Sequence, residues 1–227
     1  MIATRDTLGI GIYSPAEAAF YARVRTQTLN RWVFGDAHGD SVVKPQIAPD
    51  DDDRVITFLD FIQALAIRAI RTQYPKISLH KIRKAVDLVE ERLGIKCPFA
   101  REHKSFIYDE REIALEVDGK LIQISGINSG NLMIGPIAEL YLKRIHFGED
   151  GFAAQYVAWG DNRNPIVMDP KRRFGEPIVA SCGYTAQTLW DASIVEGGLE
   201  AAAKAYGVKI EEVTAACDYY DHLASAA

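Results

Sequence analysis

The sequence predicts a mainly α (α+β) protein: an N-terminal winged helix-turn-helix, a central β-hairpin region, and a C-terminal helical part that is again helix-turn-helix-like. Three observations lead there. Residues 13–33 read as two short helices about a tight turn. Apolar residues recur at helical spacing over 57–93 and then at a period of two over 105–126. The spacing of Ala19, Arg23 and Val24 recurs near the C-terminus as Ala203, Gly207 and Val208. The expected parts are residues 1–104 for the winged helix-turn-helix and a following helix pair, 105–160 for the hairpin and a connecting helix, and 161–227 for the C-terminal helices.

Ser14 is suited to cap the first helix, Pro15 to open it, and Glu17 to complete a capping box. Ala16, Ala19 and Phe20 are expected on its inner face. After the turn at Arg23-Val24, Thr26 is expected to cap a second helix with Leu29 and Trp32 or Val33 inward. Gln27, Thr28, Asn30 and Arg31 then face outward. Two short apolar pieces, Ser41–Lys44 and Arg54–Thr57, lie on either side of a loop and predict a wing. The run Asp50–Asp53 has neither the glycine nor the closing glutamate of a calcium loop, so it reads as a solvated turn.

Thr57 and Asp60 predict a second capping box, opening a helix to Arg71 whose Phe58, Phe61, Ile62, Leu65, Ala66, Ala69 and Ile70 form a wide apolar face. Tyr74-Pro75 ends it. Ser78 caps the next helix, with Leu79, Ile82, Ala85, Val86, Val89 and Leu93 inward and Gly94 as its stop. Its other face, with Lys81, Arg83, Lys84 and Arg92 beside Asp87, Glu90 and Glu91, reads as solvated. Alternation through Ile113, Leu115 and Val117, then Asp118-Gly119, then Leu121 to Ile124, predicts a hairpin. A helix is expected over 132–145, an extended piece over 155–159, and a linker at Asp161–Pro165. Beyond it, Ile166-Val-Met-Asp-Pro170 is expected to open the last segment with a short strand and a turn, and Pro177-Ile-Val-Ala180 follows Phe174-Gly175. A helix capped by Thr185 then runs to Val195, followed by helices at 199–206 and 210–223.

The composition excludes several classes. Hydrophobic residues are 48% and charged residues 25% of the 227, the balance of an ordinary globular chain of one or two domains. No apolar run approaches the roughly 20 residues of a membrane span, and no basic segment followed by an apolar stretch opens the chain, so a cytoplasmic protein without membrane contact is expected. Cys97, Cys182 and Cys217 are odd in number and widely spaced, which predicts free thiols rather than a disulfide or zinc framework. The five histidines are scattered and carry no ligand spacing. Asp109, Glu110, Glu112, Glu116 and Asp118 sit on or beside the hairpin, where alternation places them on a solvated face. No nucleophile elbow, P-loop, dinucleotide fingerprint or zinc-helix motif occurs. A non-enzymatic protein without cofactor or metal is expected.

Charge divides the chain. Residues 1–104 hold sixteen Lys/Arg against thirteen Asp/Glu, a balance of +3; residues 105–227 hold ten against eighteen, a balance of −8. The first half therefore suits a polyanion and the second repels one. Thr26, Gln27, Thr28, Asn30 and Arg31 can reach base edges and phosphates in a major groove, and Lys44 in the wing can reach phosphate. The later repeat presents Glu211, Glu212, Asp218 and Asp221 with only Lys209 in support, which fits a protein partner better than DNA. A single helix-turn-helix covers few base pairs, so a homodimer on a palindromic operator is expected.

Residues 13–104, through Tyr13-Ser-Pro-Ala-Glu-Ala-Ala19, Thr28-Leu-Asn-Arg-Trp32, Ile56-Thr-Phe-Leu-Asp-Phe61 and Ile77-Ser-Leu-His-Lys-Ile-Arg83, resemble MerR-like winged helix-turn-helix proteins. Residues 166–223 are similar to the short domain of bacterial antitoxins paired with PIN-like ribonuclease toxins. The pieces are Ile166-Val-Met-Asp-Pro170, Phe174-Gly-Glu-Pro-Ile-Val179, Ala203-Lys-Ala-Tyr-Gly-Val208 and Glu211-Glu-Val-Thr-Ala-Ala216. In order, the two resemble VapB-type antitoxins of two-domain build. Asn30 stands where such helices often carry arginine, and Ser181-Cys-Gly-Tyr184 replaces a Gly-Thr-Arg turn. The resemblance implies a DNA-binding autorepressor that neutralises a PIN-like toxin. The alternative is a MerR-like regulator in which residues 105–227 sense a ligand or a protein.

Overall fold

Ser14 opens the first helix as its residue types dictate. In the computed structural model, which describes residues 10–36, 39–49, 54–108, 112–117, 120–123, 133–134, 143–160 and 163–225, strand β1 (Ile12–Tyr13) leads into α1 (Pro15–Tyr21). The Ser14 hydroxyl accepts from the Glu17 N–H, and the Glu17 carboxylate accepts from the Ser14 N–H at 2.8 Å. The inner face differs from the expectation. Ala18, Ala19 and Ala22 are buried, whereas Ala16 and Phe20 are exposed. The helix is rotated so that only small residues face its neighbour, and this allows close approach.

The turn that follows is held by Val24 N–H to the Ala19 carbonyl at 3.0 Å, with Arg23 at a φ of 52°. Helix α2 (Thr26–Phe34) then begins one residue earlier than expected: Arg25 is its N-cap, no side chain caps it, and Thr26 is its first residue. Leu29, Trp32 and Val33 are buried as the spacing requires. Gly35 closes α2 at a φ of 80°; a Cβ there would lie 2.9 Å from the Gly39 oxygen and the Ser41 nitrogen, so only glycine fits.

No strand forms at Ser41–Lys44. The N–H groups of Val42 and Val43 both donate to the Trp32 carbonyl, at 2.7 and 3.2 Å, and both side chains are buried. With those donors taken, Val42 and Val43 cannot donate to a partner strand, and the expected strand of the wing is absent. Arg83 fastens the same loop by donating to the Ser41 carbonyl at 2.6 Å and to the Asp40 carbonyl. Residues 50–53 lie outside the described residues.

Strand β2 (Ile56–Thr57) leads into α3 (Phe58–Gln73), whose capping box forms between Thr57 and Asp60 as expected. Helix α3 is buried on nearly every side, Asp60 and Gln63 included. The Tyr13 ring packs on Phe61 at 5.6 Å and edge-on against Tyr21 at 6.2 Å. Arg71 braces the turn after α3 through the carbonyls of Pro75 and Ile77. Ser78 then caps α4 (Leu79–Leu93), which Gly94 ends in the left-handed region. A short 3-10 turn at Pro98–Ala100 follows.

Strands β3 (His103–Tyr108), β4 (Glu112–Val117), β5 (Lys120–Gln123) and β6 (Met133–Ile134) make an antiparallel sheet in the order β5-β4-β3-β6. Val117 pairs with Lys120, so the hairpin has the expected two-residue connection. The helix expected over 132–145 is corrected at both ends. Met133–Ile134 pairs with β3, and Ile145–Phe147 forms strand β7. Residues 135–142 lie outside the described residues. The compact unit made of these elements spans residues 13–153.

A second compact unit holds residues 154–225 with residues 10–12. Strand β8 (Ala153–Trp159) pairs with β9 (Ile166–Met168), which pairs with β10 (Ile178–Val179), all antiparallel. The linker expected at Asp161–Pro165 thus connects two paired strands, Trp159 standing opposite Ile166. Thr185 caps α5 (Ala186–Val195), with its hydroxyl 3.1 Å from the Thr188 N–H. Helices α6 (Leu199–Tyr206) and α7 (Ile210–Ala224) pack with α5 around Ala192, Ala202, Ala203 and Val213. Trp190 stacks on Tyr220 at 5.0 Å. No helix among the described residues is long and apolar enough to cross a membrane.

Candidate nucleic-acid interface

The geometry of α1, its turn and α2 follows from three local choices. Small residues on α1 admit α2, Arg23 accepts the left-handed turn, and Leu29, Trp32 and Val33 anchor α2 from below. The opposite face of α2 is thereby left to polar residues. Thr26, Gln27 and Arg31 are exposed, and Thr28 and Asn30 are half-buried. All five expected contact residues on this helix therefore share one element. The Asn30 Oδ1 is buried without a hydrogen-bond partner, so its amide is less available than those of its neighbours.

Lys44 is placed differently. Its side chain is exposed, but its ammonium meets a Glu90 carboxylate oxygen of α4 at 2.6 Å. That hydrogen bond, with the charges of Asp87 and Glu91 nearby, raises the lysine pKa. Phosphate would have to compete with Glu90 for it. Reading the sequence for this site left out Arg25, which is exposed directly ahead of α2, and gave Arg23 only a turn role. The signal was present: Arg23, Arg25 and Arg31 occur in a stretch from Ala18 to Gly35 without one acidic residue. No side chain caps α2, so the positive end of its dipole meets no capping acceptor.

The second helix-turn-helix-like unit shares the turn and not the surface. Val208 N–H donates to the Ala203 carbonyl at 3.0 Å, and Gly207 has a φ of 65°. Glu211, Asp218 and Asp221 are exposed as expected. Glu212 is not. It is buried, accepting from the Ser181 hydroxyl at 2.6 Å and the Lys209 N–H at 2.8 Å. The Ser181 bond, opposed by burial, holds its carboxyl below the usual range. Ser181, in the turn that departs from the antitoxin pattern, thus anchors α7. Ile194, Val195, Leu199 and Ile210 are exposed around the helix junctions, beside exposed Glu196, Glu200 and Glu211. Among the described residues no group of three or more His, Cys, Asp or Glu side chains could hold a metal ion.

No protein-family model matches the chain. A curated protein of Mycobacterium tuberculosis (strain ATCC 25618 / H37Rv), named "Putative antitoxin VapB45", is 23% identical over 234 residues, covering 92% of this chain and 93% of that protein. The crystal structure of Rv2018 from Mycobacterium tuberculosis shares the fold with a TM-score of 0.66 at 18% identity, over 93% of this chain and 99% of that one. The chain is thus similar, over nearly its whole length, to a protein named as a VapB-type antitoxin.

Proposed function

We propose that this protein is the antitoxin of a type II toxin–antitoxin system, a homodimer that binds operator DNA through α2 and neutralises a PIN-like ribonuclease toxin. One observation carries the reading. The two helix-turn-helix-like units share a turn built on the same hydrogen bond, yet Arg23, Arg25 and Arg31 attend the first while carboxylates line the second. Only the first surface can lie against phosphates. Gln27, Arg31 and the half-buried Thr28 face the major groove in this reading, Thr26 lies at the phosphate-facing end of α2, and Asn30 and Lys44 make secondary contacts. The antitoxin name of the full-length relative supports a toxin partner. The exposed apolar Ile194, Val195 and Leu199, next in sequence to exposed Glu196 and Glu200, suit a basic toxin surface.

The test is a shift assay on the DNA upstream of the gene at stated salt. Changing Gln27 and Arg31 to Ala together abolishes binding while the far-ultraviolet dichroism stays unchanged. Unchanged binding sinks the DNA half of the proposal. For the toxin half, co-expression with a neighbouring PIN-like reading frame yields a complex that survives purification; absence of such a complex sinks that half.

A further inference from the structure

The connection from β9 to β10 carries Lys171, Arg172, Arg173 and Phe174, all exposed, with Phe174 at 65%. Hydrogen bonds tie this loop down. The Asp169 carboxylate accepts from the Lys171 N–H and the Asp169 carbonyl from the Arg172 N–H, both at 2.9 Å. The carbonyls of Arg172 and Arg173 accept from the N–H groups of Gly175 and Glu176 at 3.0 Å. Arg173 and Phe174 lie consecutively in the left-handed region, at φ of 48° and 56°. That backbone is costly for residues with a Cβ, and it concentrates where a side chain is held out for a partner. Among the described residues, no ion pair claims the three cations.

A complementary surface lies in the same compact unit. Asp191, Ile194 and Val195 share one face of α5, Glu196 is its C-cap, and Leu199 and Glu200 open α6. All six are exposed, Ile194 at 63% and Val195 at 80%. No Lys or Arg occurs between Arg173 and Lys204. The C-terminal end of the α5 dipole adds negative charge there, with no basic residue in the last turn to offset it. The loop does not meet this patch within its own chain. A Cβ added at Gly183 would lie 3.5 Å from Arg172 Nη2, which places that guanidinium beside the turn leading into α5. The patch is at the other end of the helix, about 15 Å away along ten residues.

We propose that a second copy of this chain covers both surfaces, the basic loop tipped by Phe174 in each protomer seating on the acidic apolar patch of the other. The cations meet Asp191, Glu196 and Glu200, and Phe174 meets Ile194 and Val195. Because the two surfaces lie at opposite ends of one helix, reciprocal seating covers all four at once and closes a two-fold dimer. A phosphate backbone would satisfy the cations and leave Phe174 without apolar contact, which is why the patch is the better complement. The inference rests on the homodimer proposed above, and it makes a basic toxin surface a competitor of the partner's loop.

The experiment is sedimentation of the full-length chain over about 1 to 100 µM, without DNA or toxin. Arg172→Glu with Arg173→Glu reverses the loop; Glu196→Lys with Glu200→Lys reverses the patch. Each reversed chain dimerises at least about tenfold more weakly than wild type. An equimolar mixture of the two recovers the dimer, because both contacts of the mixed pair again join opposite charges. In the wild type, zero-length carbodiimide coupling of light with isotope-labelled chains joins Lys171 of one to Glu196 or Glu200 of the other. A wild type that stays monomeric at about 100 µM overturns the inference together with the homodimer. A dimer indifferent to both reversals, or a mixture that recovers nothing, overturns the inference alone. So does a loop reversal that spares the dimer and weakens operator binding, which gives the loop to DNA. Should a reversed chain fail to fold, the cross-link decides, and its absence between chains overturns the inference.

Discussion

Asp60 accepts hydrogen bonds from the N–H groups of Thr57 and Gln46 and from the Thr57 hydroxyl, yet burial pushes its pKa up to about 6. The folded chain therefore holds a proton that the unfolded chain has released between about pH 4 and 6. Stability falls as pH rises through that window, and the cost, on the order of 3 kcal/mol, is fully present above it. Urea unfolding from pH 4 to 7.5 checks this: the wild type loses stability with rising pH, and Asp60→Asn flattens the slope. Glu212 has the opposite sign. Its depressed pKa contributes stability that is present above the ordinary carboxylate value and lost as pH falls through the folded value. Ser181→Ala removes the principal cause and is expected to cost about 1 kcal/mol at pH 7, with a smaller loss on acidification. Neither role was legible locally. Asp60 read correctly as a cap, but its partner Gln46 lies 14 positions away, and Ser181 lies 31 positions from Glu212.

At the scale of elements, turn chemistry was largely readable because it depends on neighbouring residues. The caps Ser14, Thr57, Ser78 and Thr185 all form, and the repeated Ala-to-Val spacing marks the same turn twice. Glycine demand separates two of these ends. Nothing lies within 4 Å of a Cβ added at Gly207, so Gly207→Ala should cost about 1 kcal/mol from backbone conformation alone. Gly35→Ala adds a clash with backbone and should cost more, a ranking that denaturant midpoints will check; equal costs would show that the Gly39–Ser41 loop gives way. The face of α1 and the wing were misread for a shared reason. Periodicity allows more than one rotation of a short helix, and only the partner surface selects Ala18 and Ala22 over Ala16 and Phe20. Likewise Val42 and Val43 could have paired as a strand until the Trp32 carbonyl took their N–H groups.

At the scale of the molecule, the division of charge at residue 104 does not follow the two compact units, residues 13–153 and residues 154–225 with 10–12, because the acidic half begins inside the first unit. If the units have separate partners, residues 154–227 expressed alone should capture the toxin and leave operator DNA unshifted. A fragment that shifts operator DNA would contradict the assignment of DNA to α2. Operator binding by the full chain should weaken steeply between about 50 and 200 mM salt, and Arg31→Ala should reduce that slope by about one. The sequence by itself determined most of the helices, the caps Ser14, Thr57, Ser78 and Thr185, the hairpin, the repeated turn and the contrast of charge, because these depend on residue types and on neighbours close along the chain. Tertiary structure alone decided that Glu212 turns inward, that Lys44 is claimed by Glu90, and that Gln63 is buried with its amide unmet. Those outcomes depend on which distant groups arrive within hydrogen-bonding distance, and no local pattern encodes that.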